Sequence, residues 1–298
     1  MTRRRHRIAA VAAALLACCL AFSLWMIARY RDAAASRAVS SVALVPRQPG
    51  HAPPPGRPHD RPSMLSVDTP LAACERRIEQ QTARLPTVAI VGASYTAGTG
   101  PDNPELSWAV ALARLLHWNA VIYGVPGAGY VRTGSSGRGP VAHMLNQEGL
   151  HDLGPALVIV QAGHDDIGVP SGLEERRVRA AVDLIHAAAP RARVGLLTTF
   201  ALTPYGTPAL READHVIVTA GTAADSRVII MDPLTGGWTF PRAIGNRLHP
   251  TAAGDQWIAR TIAAILGEHG VRPAPSTSTT PVICDVSVGA GKPVSATA

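Results

Sequence analysis

The chain has 298 residues, 47% of them hydrophobic, enough to bury one sizeable core with accessory segments and too few for two full catalytic domains. Its formal net charge of +7 comes almost wholly from arginine, Lys292 being the only lysine. The arginines of the body (Arg114, Arg138, Arg191, Arg227, Arg260) are scattered and not interleaved with aromatics, which argues against a nucleic-acid partner.

Residues 1–31 read as a basic cytoplasmic end followed by a membrane anchor. Arg3, Arg4, Arg5 and Arg7 precede an uncharged stretch from Ile8 to Ala28. Its length of about 21 residues is enough to cross a hydrocarbon core as a helix, with the positive end held inside. A cleavable signal peptide has a shorter apolar region, so the sequence predicts an uncleaved single-pass anchor with the remainder extracytoplasmic. The alternatives are a secreted form and a lipoprotein. Leu15-Leu16-Ala17-Cys18 resembles a lipoprotein cleavage box, yet apolar sequence continues past Cys18.

Residues 32–70 are proline-rich, as in His-Ala-Pro-Pro-Pro-Gly-Arg-Pro at 51–58, and are expected to form an extended disordered linker. Residues 271–298 are rich in serine, threonine and proline and are expected to form a tail. Outside the anchor only Cys74 and Cys284 remain. In an oxidising compartment the two can pair and tie the tail back to the start of the domain, the alternative being two free or intermolecular thiols.

Between these segments, over 71–270, apolar β-branched runs alternate with helical patterns. The strands are expected at Thr87 to Ala93, Ala120 to Tyr123, Ala156 to Ala162, Arg193 to Thr199 and Arg227 to Met231, each buried on both faces. Helical spacing sets Trp108, Leu112 and Leu115 on one face, as it does Val178, Val182 and Ile185, and Ile258, Ile262 and Ile265. Thr251, preceded by Pro250, is placed to cap the last helix. The alternation predicts an α/β fold: a doubly wound, mostly parallel five-stranded sheet with helices on both faces.

Four short segments fall where such a sheet gathers its chemistry: Val-Gly-Ala-Ser at 91–94, Gly-Val-Pro-Gly at 124–127, Gly-His-Asp-Asp at 163–166 and Asn-Arg-Leu-His-Pro at 246–250. The first three follow strands, and residues just past strand carboxyl ends share one rim. Acyl transfer by serine needs an accessible hydroxyl, a base, a group that orients the base, and donors aimed at the oxyanion. Ser94 supplies the hydroxyl at the end of a buried strand, between Gly92 and Gly98. His249 is the candidate base, and Asn246 can accept from its second ring nitrogen. Gly127 can expose its backbone N–H in a turn, and the glycine-rich stretch Ala128 to Pro140 behind it reads as a mobile cover or an ordinary loop.

These blocks resemble the SGNH hydrolase, or GDSL-like esterase, superfamily over about Thr87 to Gly267. The resemblance implies a three-layer sandwich, Ser94 as nucleophile, His249 as general base, and the Ser94 and Gly127 N–H groups in the oxyanion hole. The sequence departs from the family pattern twice. Asp165 stands where the family has an asparagine that donates to the oxyanion, and an ionised carboxylate cannot donate. Asn246 stands where the family has the aspartate that orients the histidine. Asp165 serves as a donor only if it is protonated. Otherwise it pairs with His164 or Arg247, or the site binds without catalysing.

No Gly-x-Ser-x-Gly surrounds Ser94, and no nucleotide-binding glycine pattern or metal-ligand spacing is present, so neither a cofactor nor a metal is predicted. Asp166 and Asp232 read as turn caps. The sequence thus predicts a membrane-tethered serine esterase or acyltransferase acting on a lipid, glycan or small acyl ester, the alternative being a catalytically impaired relative that binds envelope glycan or lipid.

Overall fold

A computed structural model describes residues 70–81, 85–100, 104–147, 149–201, 206–242, 248–275 and 279–287. The anchor at 8–28, nearly all of the 32–70 linker, Asn246 and Arg247 lie outside the described residues. Among the described residues no helix is long and apolar enough to cross a membrane.

Six parallel strands form one sheet: β1 (Thr87–Gly92), β2 (Asn119–Gly124), β3 (Leu157–Gln161), β4 (Arg193–Leu197), β5 (Ile229–Met231) and β6 (Ile283–Asp285). Their spatial order is β5-β4-β3-β1-β2-β6. β1, β2 and β3 are buried along their whole length, which explains their unbroken apolar runs. The prediction of five strands is corrected to six. β6 comes from the segment expected to be tail and pairs with β2 through Ala120, Val121 and Ile122.

The helices are α1 (Pro70–Gln81), α2 (Trp108–Leu116), α3 (Val141–Gln147), α4 (Leu150–Leu153), α5 (Ser171–Ala188), α6 (Pro208–Ala224) and α7 (Ala252–Glu268). Side chains alternate along each strand, so β1 splits its residues between two cores. Val88 and Ile90 meet Trp108 and Leu112 of α2 and Ile258 and Ile262 of α7. Ala89 and Val91 face the layer of Val141 and Met144 of α3, Val178, Val182 and Ile185 of α5, and Ile217 of α6. One apolar expectation is corrected: Leu115 is 41% exposed, whereas Leu116, one residue on, is 1% exposed and takes the inward position.

A third, smaller core holds Cys74 and Ile78 of α1 against Val121, Val282 and Cys284. There Cys74 and Cys284 form a disulfide across a sequence separation of 210. The edge strand β6 is therefore held by its hydrogen-bonded ladder and by a covalent tie to α1.

The chain places β2 on one side of β1 and β3 on the other. That reversal opens a crevice beyond the strand ends, where ligands bind in open α/β sheets. The register brings Gly92, Gly124 and Gln161 level at that end, since Gly92 is opposite both others.

Candidate active site

Ser94 follows β1 by two residues, in a tight turn closed by Ala97 N to Ala93 O at 3.0 Å and Thr99 N to Ser94 O at 2.9 Å. The turn is anchored from β3. The buried Gln161 side chain accepts through Oε1 from Ala93 N at 3.2 Å, Thr96 N at 3.3 Å and Thr96 Oγ1 at 3.0 Å. Ala93 N is shared with the Gln161 backbone carbonyl at 3.0 Å, whereas the two Thr96 donors rest on this one amide and would be costly to leave unpaired in the interior. The sequence reading missed Gln161. Its signal was a polar residue ending the otherwise apolar run Leu-Val-Ile-Val.

His249 arrives from the other end of the domain. Thr251 caps α7 by accepting from Gly254 N at 3.2 Å, as expected, and fixes the helix entry two residues after the histidine. His249 Nε2 lies 2.9 Å from Ser94 Oγ. His249 is buried at 8% exposure. Burial lowers its pKa, and His164 close by adds in the same direction, so the ring favours the neutral form a base requires. Gly100 closes the approach: its φ is +123°, and a Cβ there would stand 2.8 Å from His249 Cβ and 2.6 Å from the Pro250 carbonyl. The Ser94 and His249 loops are packed too closely for any side chain at that position.

The second strand delivers Gly127 with φ +78°, the left-handed conformation that suits glycine. Among the described residues no acceptor takes the N–H of Ser94 or of Gly127. The glycine-rich stretch behind Gly127 is not a loose cover. Asp166, fully buried, accepts from the backbone N–H groups of Tyr130 at 2.5 Å, Val131 at 3.2 Å and Arg132 at 3.0 Å. Asp166 therefore anchors a loop 34 to 36 residues away in sequence rather than capping its own turn. Burial pushes its carboxyl up, and the three amides oppose that shift by stabilising the carboxylate. Asp232 does cap a turn, accepting from Thr235 N at 2.9 Å.

Asp165 and His164 lie between these groups in a 3-10 turn, His164–Asp166. Both are half-buried. Burial raises the Asp165 pKa, the nearby His164 opposes, and Asp166 adds to the rise. The carboxyl is thereby held toward its neutral, hydrogen-donating form. Burial lowers the His164 pKa, while Asp165 and a hydrogen bond to the Phe200 carbonyl work against the shift. Asn246, the expected orienter of His249, lies outside the described residues.

Two further residues flank His249. Tyr95, directly after Ser94, stacks on Phe200 with ring centroids 4.2 Å apart and planes 3° from parallel, and its ring stands 5.5 Å from that of His249. Arg242 lies over the Phe240 ring, 4.3 Å from its centroid. Tyr95 drew no notice in the sequence because its partners Phe200 and His249 are distant in the chain.

A parallel α/β sheet with a serine–histidine pair at its switch point defines a hydrolase-type crevice. The chain belongs to the GDSL-like lipase/acylhydrolase family, whose model matches residues 90–257. Among solved structures it is similar to a family two carbohydrate esterase from Cellvibrio japonicus, with 17% identity and a TM-score of 0.51 over 62% of this chain and 61% of that one. It is also similar to a family two carbohydrate esterase from Clostridium thermocellum, with 18% identity and a TM-score of 0.48 over 62% of this chain and 65% of that one. A third is a G-D-S-L family lipolytic protein from Desulfitobacterium hafniense DCB-2, with 19% identity and a TM-score of 0.45 over 60% of this chain and 98% of that one. The chain thus spans less than two thirds of the length of the two carbohydrate esterases. No curated protein is matched.

Proposed function

We propose that the protein is a serine esterase that hydrolyses or transfers an acyl group through Ser94 and His249. The observation that carries this reading is the 2.9 Å approach of His249 Nε2 to Ser94 Oγ between residues 155 apart in sequence. In the first step Ser94 Oγ attacks the ester carbonyl while its proton passes to His249 Nε2. The carbonyl oxygen becomes an oxyanion, with the Ser94 and Gly127 N–H groups as donors. Collapse expels the alcohol, which takes the proton back from His249, and leaves an acyl-serine. Water or a second hydroxyl then attacks the acyl-serine with His249 again as base, regenerating Ser94.

Asp165 is the third oxyanion donor in this reading, acting as a neutral carboxylic acid. Its raised pKa supports that role, because only the protonated form donates. Asn246 is the proposed orienter of the His249 ring, an amide serving where position and not charge is needed.

The domain is proposed to lie outside the cytoplasm, tethered by the apolar stretch at 8–28. The arginine-flanked apolar stretch supports the tether, and the Cys74–Cys284 disulfide fits an oxidising compartment. Deleting residues 1–31 should move the protein from a carbonate-resistant membrane fraction to the soluble one. Retention in the membrane fraction would contradict the tether.

The function is tested by turnover of an ester panel with wild type, Ser94→Ala and His249→Ala. The panel runs from short nitrophenyl esters to acetylated oligosaccharides, which come first among natural esters because carbohydrate esterases share the fold. Turnover by wild type and its loss in both variants is the expected result. Equal turnover in Ser94→Ala would refute it.

A further inference from the structure

We propose that Tyr95 and Arg242 form a latch that holds the Leu248 carbonyl and thereby sets His249 against Ser94, making both positioning residues of the reaction. The inference rests on the Ser94–His249 site proposed above and explains what keeps that site in register.

The Tyr95 hydroxyl donates to the Leu248 carbonyl. Arg242 Nη1 donates to the same carbonyl at 2.9 Å and to the Tyr95 hydroxyl at 3.2 Å, one hydrogen for each. The guanidinium is itself fixed on three sides. Nη2 donates to the Ala201 carbonyl at 2.6 Å, the Phe240 ring lies beneath it, and the Arg242 backbone bridges Pro250. Tyr95 has equally little freedom, stacked on the fully buried Phe200, which meets Phe240 edge-on with centroids 5.7 Å apart.

The chain positions give the arrangement its meaning. Tyr95 is the residue after Ser94, and Leu248 is the residue before His249. Two adjacent residues of the nucleophile loop therefore grip two adjacent residues of the base loop, one pair through Oγ and Nε2 and the other through the phenol and the carbonyl. The Thr251 cap and the close packing at Gly100 already restrain the histidine loop on its far side. The contact at Leu248 adds a restraint one residue before the ring, and misplacement of about 1 Å can cost about a hundredfold in rate. Burial pushes the Tyr95 hydroxyl up to about 12, with Arg242 opposing, so the phenol remains a donor across the working pH range. The latch needs no carboxylate, which suits a sequence with asparagine at position 246.

The test compares wild type, Tyr95→Phe, Arg242→Gln and the double variant. Tyr95→Phe keeps the ring stack and deletes one hydroxyl. The expected result is a fall in kcat of about ten- to a hundredfold with KM within about twofold. The double variant should lose less than the product of the two single losses, because both act through one carbonyl. In parallel, protein carrying 15N-histidine is followed by NMR. The His249 ring resonance should shift on Ser94→Ala in the wild-type background, and that Ser94 dependence should vanish in Tyr95→Phe and in Arg242→Gln.

The two failures are separable. Wild-type turnover unaffected by Ser94→Ala would overturn the esterase site while the His249 resonance still reads the latch. Wild-type kcat and an unaltered Ser94-dependent His249 signal in Tyr95→Phe or Arg242→Gln would overturn the latch, as would a loss confined to KM.

Discussion

Asp255 lies fully buried in the first turn of α7, directly behind the loop that carries His249. Its Oδ1 accepts from Trp108 N at 2.9 Å, at the start of α2, and its Oδ2 has no hydrogen-bond partner among the described residues. Burial pushes this carboxyl from its ordinary 3.8 up to about 7, against the opposing pull of the Trp108 amide. The sign follows from proton counting. Between about pH 4 and 7 the folded chain holds a proton on Asp255 that the unfolded chain has lost, so stability falls as pH rises through that window and levels off above it. At about 1.4 kcal/mol per pH unit the full fall is on the order of 4 kcal/mol, of which about 3 kcal/mol lies between pH 5 and 9. Asp255→Asn keeps the acceptor for Trp108 and cannot ionise. It carries an unpaired amide at every pH, at about 1 to 3 kcal/mol. The stability of the variant relative to wild type should therefore rise by about 3 kcal/mol from pH 5 to 9, or roughly 6 to 12 °C in Tm for a domain of this size. Thermal melts of both proteins across that range at constant ionic strength measure it. Other buried acids, such as Glu174 with its carboxyl pushed up to about 8 by burial, act equally in both proteins and cancel in the difference. Parallel Tm curves would show that Asp255 is already ionised in the folded protein at pH 5, with its pKa not raised by burial, and would refute the reasoning.

Asp165→Asn should extend activity to higher pH. On the proposed mechanism turnover requires neutral His249 and protonated Asp165, so the lowered histidine pKa should set the acid limb and the raised Asp165 pKa the alkaline limb. An amide donates at every pH, so the pH profile of kcat for the variant should lose its alkaline limb and keep its acid limb. Gln161→Ala should lower stability by about 2 to 4 kcal/mol by stranding the buried Thr96 N–H and hydroxyl, and lower kcat with it, as read by denaturant melts and ester turnover. Cys74→Ser should cost about 2 to 5 kcal/mol under oxidising conditions, and a reductant should reproduce that loss in wild type but leave the variant unchanged.

The interior strands were legible because burial on both faces demands unbroken apolar runs, and β1 to β5 coincide with those runs to within one or two residues. β6 was not, because three residues within a serine- and threonine-rich segment carry no period. Its existence depends on β2 and on Cys74, both far away in the chain. α1 escaped notice because, among its described side chains, only Cys74 and Ile78 are buried in an otherwise polar run. Leu115 and Leu116 fit the helical spacing from Trp108 almost equally, and only packing against the sheet decides between them.

The site divides along the same physical line. Ser94, Gly127 and His249 could be picked out as candidates from the sequence because each sits at the end of a recognisable element. Gln161, Asp166 and Tyr95 act by hydrogen-bonding backbone groups 34 to 153 residues away, and Arg242 joins the Ala201 carbonyl 41 residues back and the Tyr95 hydroxyl 147 residues back to a carbonyl only 6 residues ahead; such partners leave no local pattern. A polar residue closing an apolar strand, as Gln161 does, is the one such signal that sequence alone offers.

The most direct measurement of the central claim is peptide mapping by mass spectrometry after the folded protein reacts with a fluorophosphonate. The account predicts a phosphonyl adduct on Ser94 that forms in wild type and is absent from Ser94→Ala and from His249→Ala. A folded wild-type protein left unlabelled, or one labelled equally in Ser94→Ala, would contradict it.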